Sequence, residues 1–325
     1  FKQKTAYEIG SRLVGSEMCI RDSCKVCYHE YQKVLEEQHC IDFQDMINES
    51  AELIRQKRIG KEQLDYRYII VDEYQDISRQ RYNLIKELSQ LCNAKIMAVG
   101  DDWQSIYAFS GSILPLFTRF CEAVGYGQEL KITRTYRNAQ EIIDIAGTFV
   151  QKNSAQIKKE LVSPKRIINP VIIYPYVETF DKGKERPEGG RYHYLGVAVN
   201  NAIEEILGYN SDEGKSRIVS ILLIGRYGFD ARNLCYSKQF NYDEKTGKVY
   251  SVKYGSKIKL QFLTAHSSKG LSADNVIIIN AKDEIYGFPS KVDDDPVLNL
   301  VVSNDTSYNS VSYTHLRAHE TDSYL

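Results

Sequence analysis

The stretch YRYIIVDEYQDIS (residues 66–78) sets an apolar run directly against a cluster of acids and amides. Tyr66 to Val71 reads as a strand, because a short continuous apolar run bounded by polar residues suits a core strand of a parallel sheet. Such a strand ends where ligands bind in open α/β folds, beyond the carboxyl edge of the sheet. Asp72 and Glu73 stand at that edge. A strand-end Asp followed by Glu suits a magnesium-nucleotide site, since Asp can hold the cation through water while Glu accepts a proton from an attacking water. The same pair can also simply cap the next helix and favour its positive N-terminus.

Working outward, the same alternation recurs. RQRYNLIKELSQLC reads as a helix, AKIMAVGDD as a second strand ending in acids, SILPLFTRFCEAV as helical and QELKIT as a strand. NAQEIIDIAGTFVQK reads as a helix opened by Asn138. Upstream, residues 24–58 carry apolar side chains at three- and four-residue steps, as one or two amphipathic helices broken near Asp42. Residues 153–190 hold four of the chain's seven prolines and the polar run DKGKERPEGG, which marks a connection between domains or a surface excursion. A second α/β unit follows: GVAVNNAIEEIL as a helix, RIVSILLIGR as a strand, FDARNLCYSKQ as a helix, a polar hairpin over 242–257, then IKLQFLTAH and NVIIIN as strands. Strands alternating with helices predict parallel sheets covered on both faces.

The chain of 325 residues is long enough for two domains with their own cores. No apolar run approaches the roughly 20 residues of a bilayer span, and no charged-then-apolar leader opens the sequence, so no membrane role and a cytoplasmic setting are expected. Seven scattered cysteines fit a reducing compartment. A formal net charge of −1 gives no general electrostatic reason to expect nucleic acid, so that expectation has to come from local features.

Five ordered segments supply it. DEYQD (72–76), GDDWQSIYAFSG (100–111), TYRN (135–138), LTAHSSKGLSADNVIIIN (263–280) and, ahead of them, IDFQDMI (41–47) together resemble the superfamily 1 DNA helicases of the UvrD/Rep type, in a helicase IV-like branch. FPSKVDDDP (288–296) resembles the stretch leading toward that family's last arginine-rich motif. The resemblance implies an α/β fold of two RecA-like parallel-sheet motor lobes, both incomplete here: part of the first over 24–133 and part of the second over 134–310. It implies ATP and Mg2+ as cofactors, single-stranded DNA or DNA with single-strand/duplex junctions as partner, 3′ to 5′ movement, a role in repair or recombination, and the bacterial cytosol or nucleoid as location.

Carried over by position, the resemblance gives Asp72 to magnesium, makes Glu73 the water-activating base, has Gln104 sense the γ-phosphate, and makes Arg137 an arginine finger from the second lobe. It assigns the bases a stacking surface on Tyr107 and Phe109, the latter standing where the family usually has tryptophan. It assigns Thr264, His266 and Lys269 to DNA and Gly270 to the nucleotide side. The family's glutamate after Gly-Leu is Ser272 here, which removes the ribose contact of that carboxylate. Trp103, the single tryptophan, marks the branch with no contact assigned. The plain alternatives are a satisfied loop amide for Gln104, a surface helix-start residue for Arg137, and core packing for Tyr107 and Phe109.

Three other patterns carry no site. GYNSDEGKS (208–216) has five residues between its glycines where a phosphate loop has four, and it precedes a strand rather than following one. CKVC (24–27), with His29, His39 and Cys40, reads as buried helix cysteines rather than zinc ligands. Residues 1–23 and 311–325 lack a period and resemble translated sequencing-adaptor text, which sets them apart as artefactual extensions and disposes of the His315/His319 pair. No GxxxxGK[ST] occurs in the sequence and no arginine-rich segment follows residue 300. The 325-residue chain is therefore expected to be inactive as an ATPase. A catalytically silent DNA- or nucleotide-binding module is the alternative.

Overall fold

The computed structural model describes residues 23–107, 111–153, 156–178, 187–211, 218–288 and 291–292. Among these, residues up to Pro164 form one compact unit and residues from Lys165 onward a second.

The first unit opens with two helices, α1 (23–37) and α2 (Phe43–Arg55). The break between them is a capping box on Asp42. Its carboxylate accepts from the Asp45 backbone N–H at 2.8 Å, the Asp45 side chain accepts from the Asp42 N–H at 3.3 Å, and two orphan donors of the new helix are satisfied reciprocally. Ala51 and Ile54 form the buried face of α2, and Arg55 reaches Glu87 of the next long helix at 3.2 Å. The cysteines of CKVC are exposed, against the expectation that they are buried: α1 shows water almost all of its described surface. Among the described residues no group of three or more His, Cys, Asp or Glu side chains could hold a metal ion, and no helix is long and apolar enough to cross a membrane.

β1 (Tyr68–Val71) pairs in parallel with β2 (Lys95–Ala98), with Ile70 opposite Met97, and α3 (Arg79–Cys92) makes the crossover between them. Ser78 caps α3 at its start, and Asn93 ends it in the left-handed region, where its short side chain is tolerated. The expectation of a sheet buried on both faces fails here. Tyr68, Ile70 and Met97 are more than half exposed, because only the face carrying Val71 and Ala98 packs onto the cluster of Tyr74, Ile77, Tyr82 and Leu116. SILPLFTRFCEAV forms two short helices, α4 (Leu114–Thr118) and α5 (Phe120–Val124), whose Phe117 and Phe120 close on the ring of Tyr74.

QELKIT forms no ladder. The backbone makes a single parallel bridge, Arg134 to Val162, with Val162 donating to Thr133 at 2.8 Å. The apolar Leu130 and Ile132 that suggested a strand are about 80% exposed, so no sheet face rewards them. α6 (Gln140–Val150) is opened one residue later than expected: Ala139 is its N-cap, while Asn138 offers its carbonyl to the Ser163 hydroxyl at 2.7 Å.

The second unit is a five-stranded sheet in the order β4-β5-β6-β3-β7. Long α7 (His193–Ser211) precedes β3 (Val219–Gly225). Then follow α8 (Phe229–Tyr236), the hairpin β4 (Phe240–Asp243) and β5 (Lys248–Ser251), β6 (Ile258–Thr264) and β7 (Asn275–Ile278). β3 runs parallel to both β6 and β7, and the hairpin adds antiparallel to β6. The central position of β3 explains its near-continuous apolar sequence: Ile221 and Leu223 are buried with Ile203, Leu234 and Phe262. Fully burying each such side chain stabilises by about 1.5–3 kcal/mol. The molecule is thus α/β with parallel-containing sheets, as the sequence implied.

Candidate nucleotide and nucleic-acid site

The carboxyl ends of β1 and β2 lie side by side, and backbone bonds stitch the loops beyond them: Val99 donates to Val71 and Tyr74 to Val99, both at 2.9 Å. Between these bonds the chain turns sharply. Glu73 adopts φ 50°, ψ 39°, a left-handed conformation that costs a non-glycine residue about 1–2 kcal/mol. The Asp72 carboxylate accepts the Glu73 N–H at 2.8 Å and steadies the turn. Both carboxylates are consequently exposed at the strand end, while the next two residues, Tyr74 and Gln75, are buried. Burial pushes the Tyr74 hydroxyl up to about 12. Glu73 is the N-cap of the short 3-10 turn Tyr74–Asp76 but makes no side-chain capping bond, and α3 is capped by Ser78.

Gln75 is wholly buried, and its side chain faces two ways. Nε2 donates to the Glu73 carboxylate, and Oε1 accepts the Asp101 backbone N–H at 2.9 Å. Gly100 makes this possible, since a Cβ there would lie 2.5 Å from Gln75 Oε1. In the sequence Gln75 is marked only as an amide among the acids of DEYQD, and burial is what gives it a role.

Asp101 is the next hub. Its carboxylate accepts from Gln104 Nε2 at 2.7 Å, from the Trp103 N–H at 3.2 Å and from Lys159. Burial pulls its carboxyl up, but the bonds from Lys159 and Gln104 outweigh this and hold it below the usual carboxylate range. Asp102, 1% exposed, accepts from Lys159 at 2.8 Å and from the Ile157 N–H at 2.6 Å. The Lys159 ammonium lies 4.8 Å from the centre of the Trp103 ring, within cation–π range, and the indole N–H donates to the Ile157 carbonyl at 3.3 Å. The contacts of Trp103 are therefore structural and internal: its ring also lies against Gly147 of α6.

The first unit brings together Asp72, Glu73 and Gln104. Tyr107 is half-buried on the same segment, and Phe109 lies outside the described residues. Arg137, expected from a second lobe, belongs to this compact unit as well, because residues 156–163 return from α6 to clasp the GDDWQ segment. Its guanidinium is on an exposed stretch whose backbone N–H approaches the Thr135 hydroxyl at 3.4 Å.

The second unit carries the remaining candidates on the loop after β6. The Thr264 hydroxyl meets that of Ser267 at 2.9 Å, the Thr264 carbonyl accepts the Ser268 N–H at 3.0 Å, and Gly270 turns the chain at φ 80°, which suits glycine. Thr264, His266 and Lys269 are all half-buried on this loop. His266 Nδ1 is 3.0 Å from a guanidinium nitrogen of Arg226, which follows β3. Arginine only donates, so Nδ1 accepts and the ring hydrogen sits on Nε2. Burial first, and the Arg226 charge second, hold His266 below the ordinary histidine value, as a neutral ring with a donor. Arg226 was not foreseen, because its partner follows a strand, β6, that only the sheet order places beside β3.

Residues 9–124 match the UvrD/REP helicase N-terminal domain family. The chain is related to the UvrD/Rep-type helicases. Over 261 residues, 80% of the chain and 32% of the relative, it is 28% identical to DNA helicase IV of Escherichia coli strain K12. It is 34% identical to DNA helicase II of Rickettsia typhi over 139 residues, 42% of the chain and 21% of the relative. It is 29% identical to the ATP-dependent DNA helicase UvrD1 of Mycobacterium tuberculosis over 202 residues, 55% of the chain and 26% of the relative. The chain spans about a third or less of the length of these helicase relatives.

Proposed function

We propose that this chain is part of an ATP-dependent DNA helicase that moves 3′ to 5′ on single-stranded DNA or at single-strand/duplex junctions in the bacterial cytosol. The observation that carries it is the left-handed turn at Glu73, which presents two carboxylates at the end of a parallel strand beside the Gln104 arm. Backbone strain of this kind clusters at functional sites.

A magnesium nucleotide fits these residues. Mg2+ keeps most of its waters and takes one or two carboxylates plus substrate phosphates, so a single exposed strand-end Asp72 is donor enough, and no protein cage is needed. When bound, the ion neutralises charge developing on the phosphates. Glu73 orients the attacking water and accepts its proton. Gln104, pinned through one amide hydrogen to Asp101, retains a second donor for a phosphate oxygen. Arg137 supplies positive charge where negative charge develops, an effect worth about 10³-fold or more in related phosphoryl transfers. On the second unit, Lys269 and the neutral His266 donate to the DNA backbone, and Gly270 lets the chain approach the nucleotide side closely. Tyr107 and Phe109 offer rings on which bases stack.

We further propose that the 325-residue chain itself does not turn over ATP, since its sequence carries no GxxxxGK[ST] loop to cradle the phosphates. The experiment is phosphate release from magnesium-ATP, with and without single-stranded DNA, by this chain and by the longest reading frame of its source DNA. DNA-stimulated release by the longer product, abolished by Glu73→Gln, is the expected result, with none from the 325-residue chain. Release that survives Glu73→Gln overturns the roles assigned here, and release by the 325-residue chain overturns its inactivity.

A further inference from the structure

We infer that Gln75 is the positioning residue of this site: its buried amide is a fixed two-ended link that sets the Glu73 carboxylate relative to the Asp101–Gln104 arm. This rests on the nucleotide-site reading above and deepens it.

The geometry leaves the amide little choice. Gln75 is 0% exposed, its Nε2 donates to Glu73 and its Oε1 accepts from the Asp101 N–H at 2.9 Å. Turning the amide over would face its oxygen to a carboxylate and its NH2 to a backbone N–H, losing both bonds. The Gln75 carbonyl also receives a long, weak contact from the Ser105 hydroxyl at 3.4 Å, and Gly100 leaves no Cβ to push the side chain aside. One carboxylate oxygen of Glu73 is thereby engaged, which leaves the other for the attacking water of the proposed reaction. The Asp101 backbone, through Gln75, and the Asp101 carboxylate, bound to Gln104, connect the base to the phosphate-sensing amide within one short chain of hydrogen bonds. A shift of the GDDWQ segment on meeting a phosphate therefore turns the Glu73 carboxylate. Leucine or methionine would fill the same buried volume but make neither bond, so packing alone does not account for an amide here.

The experiment reads amide hydrogen exchange by NMR on the 325-residue chain without nucleotide, so the fate of any ATPase assay does not affect it. In Gln75→Ala the Asp101 backbone amide exchanges about tenfold faster or more, the factor expected for one lost hydrogen bond, while Val99 and Tyr74 amides change little. Gln75→Met fills the same buried volume and makes neither bond, so Asp101 exchanges faster in it as well, with the packing kept. Glu73→Ala, at an exposed position, frees the Gln75 side-chain NH2, whose resonances shift and exchange faster with Asp101 still protected. Uniform acceleration throughout the first unit in both Gln75 variants, or no change at Asp101 in Gln75→Ala, overturns the inference. Should Gln75→Ala unfold the unit, Glu73→Ala decides: an unmoved Gln75 NH2 signal rejects the link.

Discussion

Lys159 places its ammonium 2.8 Å from the Asp102 carboxylate, with the two side chains 14% and 1% exposed, across 57 residues of sequence. A charge pair this deep is costly to break from one side, because the remaining ion is left buried without a partner. The pair, with the Trp103 indole and the Ile157 backbone, is what fastens residues 156–163 to the GDDWQ segment.

Lys159→Ala therefore lowers the unfolding free energy of the first unit by about 3 kcal/mol, in the range for a broken buried pair. Urea unfolding followed by the fluorescence of Trp103, the single tryptophan, measures it directly. A change well under about 1 kcal/mol, the size typical of an exposed pair, shows the bridge to be solvated.

Gly100→Ala destabilises the same unit by about 1–3 kcal/mol through overpacking. The new Cβ would lie 2.5 Å from Gln75 Oε1 and 3.0 Å from the Phe117 ring, so the Gln75 amide has to leave its place. Denaturation midpoints and the Gln75 side-chain resonances report both effects, and a variant as stable as the parent with those resonances unmoved refutes the close approach.

His266 titrates below its ordinary value of 6.5, and Arg226→Ala raises the midpoint toward it, because the guanidinium charge disfavours the imidazolium. The sign for stability follows. A depressed folded value means the unfolded chain binds the proton more readily, so the contribution of His266 is complete above about 6.5 and is lost as pH falls through the lower folded value. A ring-proton NMR titration of the two proteins checks this, and a midpoint that falls in Arg226→Ala contradicts the pairing.

The sequence by itself determined the alternation of strands and helices, the break at Asp42 and the carboxylates at the end of β1. Each is a local matter of apolar period, capping chemistry or a run of four or five residues, which neighbours in sequence suffice to set. It misjudged QELKIT, whose apolar residues had a strand's composition but found no sheet face to bury them, and the covering of β1 and β2 on both sides. It also gave Asn138 a cap that Ala139 holds. Only the tertiary structure decided the rest: that Gln75 joins Glu73 to Asp101, that Lys159 reaches back to Asp101 and Asp102, and that Arg226 meets His266. These links run between residues 26 to 58 positions apart, or turn on whether a side chain is buried. A buried polar group must find a partner wherever the packed chain brings one, and no period in the sequence records which partner that is.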